Sequence, residues 1–227
     1  MRPGPLHPCP LKWISQQALE MKDDAMKKSL VLLACTAMLA AGAAGASGSP
    51  ESVQLPAAQK SGGMPLMEAL SRRHSSRSFS PGDLSPQELS NLLWAAWGVN
   101  RADGRRTIPT AMNYQELQVY VNRRDGVWRY EVRSERLMRV ADRALPAPMN
   151  DAPDVLIFAI LDHQEYGPYH AGLAAQSAGL YCASAKLACV VRASPVKAVE
   201  KADPNAFGFL PKGWKPSLTL HAGHPAK

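Results

Sequence analysis

The chain has 227 residues, a formal net charge of +7, 20% charged residues and 46% hydrophobic ones. That is enough length and apolar content for a substantial core, and it excludes a disordered or fibrous protein. The positive balance is mild, so it does not by itself call for nucleic acid or an anionic surface as partner.

Residues Met26–Ala46, "MKKSLVLLACTAMLAAGAAGA", combine two lysines, a short alanine-rich apolar run and a small-residue end. This is the pattern of a secretory signal peptide, with Ala44-Gly45-Ala46 as cleavage signal and Ser47 as the first mature residue. A lipoprotein box ending at Cys35 is the rival reading, but counted from Met26 it leaves a hydrophobic region of only about six residues, below the usual range. Residues 1–25 read as an over-extended start, so 1–46 are set aside as leader. An exported, periplasmic protein is expected, with no stable membrane span after cleavage. Residues 47–63, rich in Pro, Gly, Ser and Gln, read as a linker, and 64–227 as one folded domain. Of the four cysteines, Cys182 and Cys189 fall in this domain, and their spacing makes no disulfide framework, so both are expected as small buried apolar groups.

Within the domain, "PLMEALSRRH" places Leu66, Met67 and Leu70 at helical spacing. "SPQELSNLLWAAW" is a second helix: Ser85 caps it, Pro86 takes the first position, Glu88 closes a capping box, and Leu89, Leu92, Leu93, Ala96 and Trp97 form one buried face. A Gly-, Pro- and Arg-rich connection, 98–112, leads to "LQVYVNRRDGVWRYEV", which alternates on both sides of Asp125-Gly126 as a hairpin does. Ser134–Arg143 reads as a short helix. "DVLIFAIL", Asp154–Leu161, is a continuous apolar run of strand length, covered on both faces. Tyr169–Leu187 follows as a long alanine- and serine-rich helix, then a strand "ACVVRA", a short helix around Pro195–Lys201 and a last strand, "PSLTLHAGHP". The order implies an α+β domain.

The stretch that carries chemistry is Ser71–Phe79, "SRRHSSRSF". Arginine offers a planar fork for oxyanions and serine offers short donors, so together at a helix end they suit a terminal phosphate. Composition alone favours the plainer reading, a solvated basic helix end, since most charge runs merely face water. A nucleic-acid patch fits worse, because no exposed aromatics are interleaved and no wider basic stripe accompanies it. His163, His170, His221 and His224 have no metal-ligand spacing.

Three further segments follow in order: "RTIPTAMNYQELQVYV" (Arg106–Val121), "AGLAAQSAGLYCASAKLACVVRA" (Ala171–Ala193) and "LTLHAGHPAK". With "RRHSSRSF" they resemble the flavin-binding pattern of the nitroreductase superfamily, nearest its short nitroreductase-like, thiazole/oxazole-dehydrogenase-like branch, over Met64–Lys227. The resemblance implies a mostly antiparallel central sheet flanked by helices, a homodimer with the cofactor at its interface, and an FMN-dependent oxidoreductase passing electrons from a reduced donor, NAD(P)H being one candidate, to a small electron-poor acceptor. By the same resemblance Arg73, Ser75 and Arg77 hold the FMN phosphate with His74 adjacent, Asn113 and Gln115 address the flavin ring or ribityl chain, and Val191 and Arg192 pass the isoalloxazine. Two departures stand out. Lys186 takes the place of a usual glycine after the long helix, and Ser177 that of a usual asparagine. They keep open a non-catalytic flavin-binding protein of the cell envelope.

Overall fold

The computed structural model of the chain describes residues 51–227; the leader reading of 1–46 lies outside them. Seven strands form a single sheet in the order β1-β4-β3-β2-β5-β7-β6, every neighbouring pair antiparallel. They are β1 (Ser52–Gln54), β2 (Leu117–Arg123), β3 (Gly126–Glu131), β4 (Arg136–Ala141), β5 (Asp154–Leu161), β6 (Ala188–Arg192) and β7 (Trp214–Gly223). Four α-helices accompany them among the described residues: α1 (Leu66–Arg72), α2 (Pro86–Trp97), α3 (Gly167–Ser184) and α4 (Ser194–Ala202). None of these helices is long and apolar enough to cross a membrane.

β5 lies inside the sheet between β2 and β7, as its unbroken apolar run requires. Its alternate residues feed two cores. Leu156, Phe158 and Ile160 join Leu92, Leu93 and Trp97 of α2 and Ala171, Ala175 and Ala178 of α3 on one face. Val155, Ile157 and Ala159 join Val196 and Val199 of α4, with Phe207, on the other. The capping box of α2 forms as expected: Ser85 Oγ accepts from Glu88 N at 3.2 Å and Glu88 Oε2 accepts from Ser85 N at 2.8 Å.

Two expectations are corrected. Ser134–Arg143 is not a helix; most of it is β4, paired with β3 on one side and β1 on the other. A sheet edge leaves a row of backbone groups unpaired, and satisfying β3 outweighed local propensity. Nor is 47–63 a plain linker from Ser52 onward. β1 pairs with β4, Leu55 and Ala58 are buried, and Gln59 N donates to Asn91 Oδ1 on α2 at 2.8 Å. The hairpin turn also falls one residue earlier than its sequence signal. Arg123 faces Gly126 across Arg124-Asp125, and Gly126 opens β3 with φ 140°, where a Cβ would lie 2.3 Å from the Ala141 carbonyl oxygen.

Asp154 starts β5 fully buried, its Oδ1 2.9 Å from Arg123 Nε and its Oδ2 accepting from Leu84 N at 3.0 Å. Burial holds its carboxyl above the ordinary carboxylate range in spite of Arg123. The folded state therefore binds this proton more tightly than the unfolded chain, and the group loses stability as pH rises from its unfolded pKa, about 3.9, through the raised value. Asp154→Asn keeps an acceptor for Leu84 N and removes that dependence. Across this window the melting temperature of the variant relative to wild type should climb with pH and then level off; a difference constant with pH would show that burial does not hold the carboxyl up.

Candidate functional site

α1 ends at Arg72, and Arg73 is its C-cap, its amide bonded to Ala69 O. Beyond it the arginine run lies extended against the end of the sheet. Ser76 N donates to Cys189 O at 2.8 Å, Ser80 N to His224 O at 2.9 Å, and Phe79 bridges to Pro225. Beside this run opens a cavity of about 520 Å³, lined among others by Ser71, Arg72, His74, Ser76, Lys186 and Cys189; of the expected phosphate set, His74 is in the lining, whereas Arg73, Ser75 and Arg77 are not. It lies within the range of small-molecule and cofactor sites.

The charges around it are unequal. Arg72 is neutralised by Glu68 at 2.7 Å. Arg73, Arg77 and Lys186 have no carboxylate partner among the described residues. His74 donates from Nδ1 to Arg72 O at 2.8 Å. Lys186, without a carboxylate partner among the described residues, and the serine hydroxyls of the same lining make a place for an oxyanion.

Lys186 is the residue that sequence reasoning undervalued. It lines the cavity and its φ is 58°, the left-handed conformation that ends many helices and favours glycine. The departure from glycine was the legible signal. Ser177, the other departure, donates from Oγ to Ala95 O at 2.7 Å and so ties α3 to α2. Cys182 and Cys189 are free and buried as expected. The Cys182 thiol, hydrogen-bonded to Cys189 and walled off from water, is held well above its usual value, and Arg73 lies close enough to act on Cys189.

Asn113 and Gln115 sit elsewhere. Their loop is a 3-10 turn, Ala111–Asn113, in which Met112, Asn113 and Gln115 all have positive φ (48°, 57° and 54°). Three non-glycine residues in that region within four positions store strain of the kind found at functional sites. Gln115 Nε2 donates to Asn113 Oδ1 at 3.0 Å. The loop is tied to α3 by the Ala111 amide, which donates to His170 Nε2 at 2.8 Å. His170 is near the start of α3, whereas Ala183 and Lys186 are at its end. At 1.5 Å per residue the loop's anchor and the far cavity wall are about 20 Å apart along the helix. One chain therefore does not draw the two halves of the expected site into one cluster.

Val191, on β6, is exposed. Arg192, next to it, is engaged. Its guanidinium pairs with Asp151, which also bonds His221 Nδ1, while Thr219 Oγ1 bridges His221 Nε2 at 3.0 Å and Arg192 O at 2.9 Å. Burial pushes the His221 imidazole below its ordinary value, against the raising effect of Asp151. Arg192 thus braces β6 and β7 to the 144–153 segment and is less free than Arg73 or Arg77 to meet a ligand.

The antiparallel α+β sheet thus carries a basic cavity at one end of a long helix and a strained polar loop at the other. The chain matches the model of the nitroreductase family over residues 70–224, and it belongs to that family of flavin-dependent oxidoreductases. A candidate nitroreductase from Ralstonia eutropha JMP134, of known crystal structure, is 31% identical, covering 84% of this chain and 96% of its own, with a TM-score of 0.70. A candidate nitroreductase from Methanocaldococcus jannaschii is 33% identical over 96 residues, 40% of this chain; the match spans about half of that curated relative, 47% of its length. A candidate nitroreductase from Desulfovibrio desulfuricans, solved in complex with FMN, shares the fold at 18% identity and TM-score 0.51, over 72% of this chain and 88% of that one.

Proposed function

We propose that this chain binds FMN, with the phosphate in the cavity between the arginine run and the end of α3, and acts as a nitroreductase-type oxidoreductase on a small electron-poor acceptor. The observation that carries the reading is a serine-lined cavity walled by Lys186 on one side and by the run that holds Arg73 and Arg77 on the other, three cations without a carboxylate partner among the described residues. Bound there, FMN would supply two-electron redox chemistry that no side chain provides, taking hydride from a reduced donor and giving it to an acceptor in alternation. The chain's own part is to anchor the phosphate through charge-assisted bonds, to present the Asn113 and Gln115 amides to the ring or ribityl chain, and to leave an accessible face beside Val191. Residue placement and family membership support this reading, as do the FMN-bound relatives.

The homodimer belongs to the same proposal. Leu66, Met67 and Leu70 on α1 and Tyr169 and Leu173 on α3 are all exposed, and apolar faces of this kind mark association surfaces. Pairing through them would let the loop of one protomer complete the cavity of its partner. The leader-like segment favours work outside the cytoplasm, where nicotinamide donors are scarce, so the donor class is kept open between NAD(P)H and another reduced carrier. The absorbance spectrum of the protein after incubation with FMN and desalting tests the central claim. Stoichiometric flavin bands support it, and a folded, colourless protein overturns it.

Lys186 gives a further expected outcome. Lys186→Gly removes a left-handed lysine, so the apo protein should gain about 1 kcal/mol in stability. It also removes one charge-assisted contact of roughly 1.5–3 kcal/mol, so FMN should bind about ten- to a hundredfold more weakly. Thermal melts and flavin titration together read this opposition. A variant more stable with unchanged affinity would place the phosphate away from Lys186.

A further inference from the structure

We infer that Glu116 and His170 form a buried positioning pair that sets the strained 111–115 loop by selecting one tautomer of the histidine. Glu116 is 6% exposed and lies where the loop enters β2; His170 is 3% exposed, in the first turn of α3. A backbone amide only donates, so the 2.8 Å bond from Ala111 N requires a lone pair on His170 Nε2. The ring proton must then sit on Nδ1, and Glu116 Oε1, 3.2 Å away, is there to accept it. At this distance the two groups face each other without a fully aligned hydrogen bond, and neither Nδ1 nor either carboxylate oxygen has another partner. The carboxylate thus has one visible task, to hold the proton on Nδ1. Neutral imidazole in water favours the other tautomer, which would turn an N–H toward the Ala111 N–H and expel it.

Ala111 is the first residue of the turn that holds Met112, Asn113 and Gln115 at positive φ. The remaining bonds of the loop are internal to it: Asn113 N to Thr110 O at 3.1 Å, Tyr114 N to Ala111 O at 3.0 Å and Gln115 N to Thr110 Oγ1 at 3.2 Å. These hold its shape but do not place it on the body of the domain. The bond to His170 does, and a strained conformation persists only where its surroundings over-determine it. The pair is therefore a positioning device for Asn113 and Gln115. Its consequence for the cofactor rests on the reading of this loop as flavin-binding; the tautomer itself does not.

The test uses 15N-labelled full-length protein and three forms: wild type, Glu116→Gln, whose amide oxygen still accepts from Nδ1–H, and Glu116→Met, of similar volume without an acceptor. Imidazole 15N shifts of His170 in the apo protein report the tautomer, and flavin fluorescence titration reports FMN affinity. Wild type and Glu116→Gln should show Nδ1–H, with affinities within about threefold of each other. Glu116→Met should move the proton to Nε2 and raise the FMN dissociation constant about tenfold, the loss of roughly one net hydrogen bond and the order it imposes. A wild-type His170 carrying its proton on Nε2, or a Glu116→Met protein unchanged in both readouts, overturns the inference. A wild type that shows Nδ1–H but binds no FMN would sustain the anchor and defeat the flavin reading instead.

Discussion

Arg73→Ala combined with Arg77→Ala should release FMN. Each belongs to the run whose Ser71, Arg72, His74 and Ser76 line the cavity, and neither has a carboxylate partner among the described residues, so neither variant strands a buried counter-charge. Each removes a charge-assisted phosphate contact of roughly 1.5–3 kcal/mol, together about two to four powers of ten in dissociation constant. The fold should be untouched, because both residues are exposed. Arg72→Ala removes a cation that lines the cavity but is already paired with Glu68, and should cost far less. Equal losses in the double variant and in Arg72→Ala would mean that the run acts only through its overall field, and a double variant with full flavin occupancy would move the phosphate elsewhere.

Met67→Glu with Tyr169→Glu should break the proposed homodimer and with it the proposed flavin site. These two side chains are 75% and 67% exposed, so a charge at either site is solvated in one chain and disfavoured only where a second chain covers it. Light scattering after size exclusion reads the mass, and the flavin bands of the same peak read occupancy. A folded monomer without flavin supports a site shared between protomers. A monomer that retains FMN would show that one chain reaches from the cavity to the loop across the roughly 20 Å of α3, and an unchanged dimer would place the interface on another face.

These expectations draw unequally on the sequence and on the fold. The capping box of α2, the span of β5 and the basic run after α1 were legible because each is written in short-range terms: a side chain reaching three residues along, an unbroken apolar stretch, or cations next to hydroxyls. The family pattern was legible for the same reason, as four local phrases in order. Arg192 shows where such reading stops. Its type and position suit a cofactor ligand, but Asp151, forty-one residues away, has claimed its guanidinium.

The sequence by itself determined the fold class, the family and the basic, hydroxyl-rich character of the run after α1, since these follow from residue type and local periodicity. Only the tertiary structure decided that 136–141 would be a strand, that Ser52–Gln54 would extend the sheet, that Lys186 would face the cavity and that Glu116 would meet His170. Each of these depends on groups distant in the chain, whose unpaired backbone or buried polar atoms had to find partners. Such demands arise only when the elements pack, so no local pattern carries them.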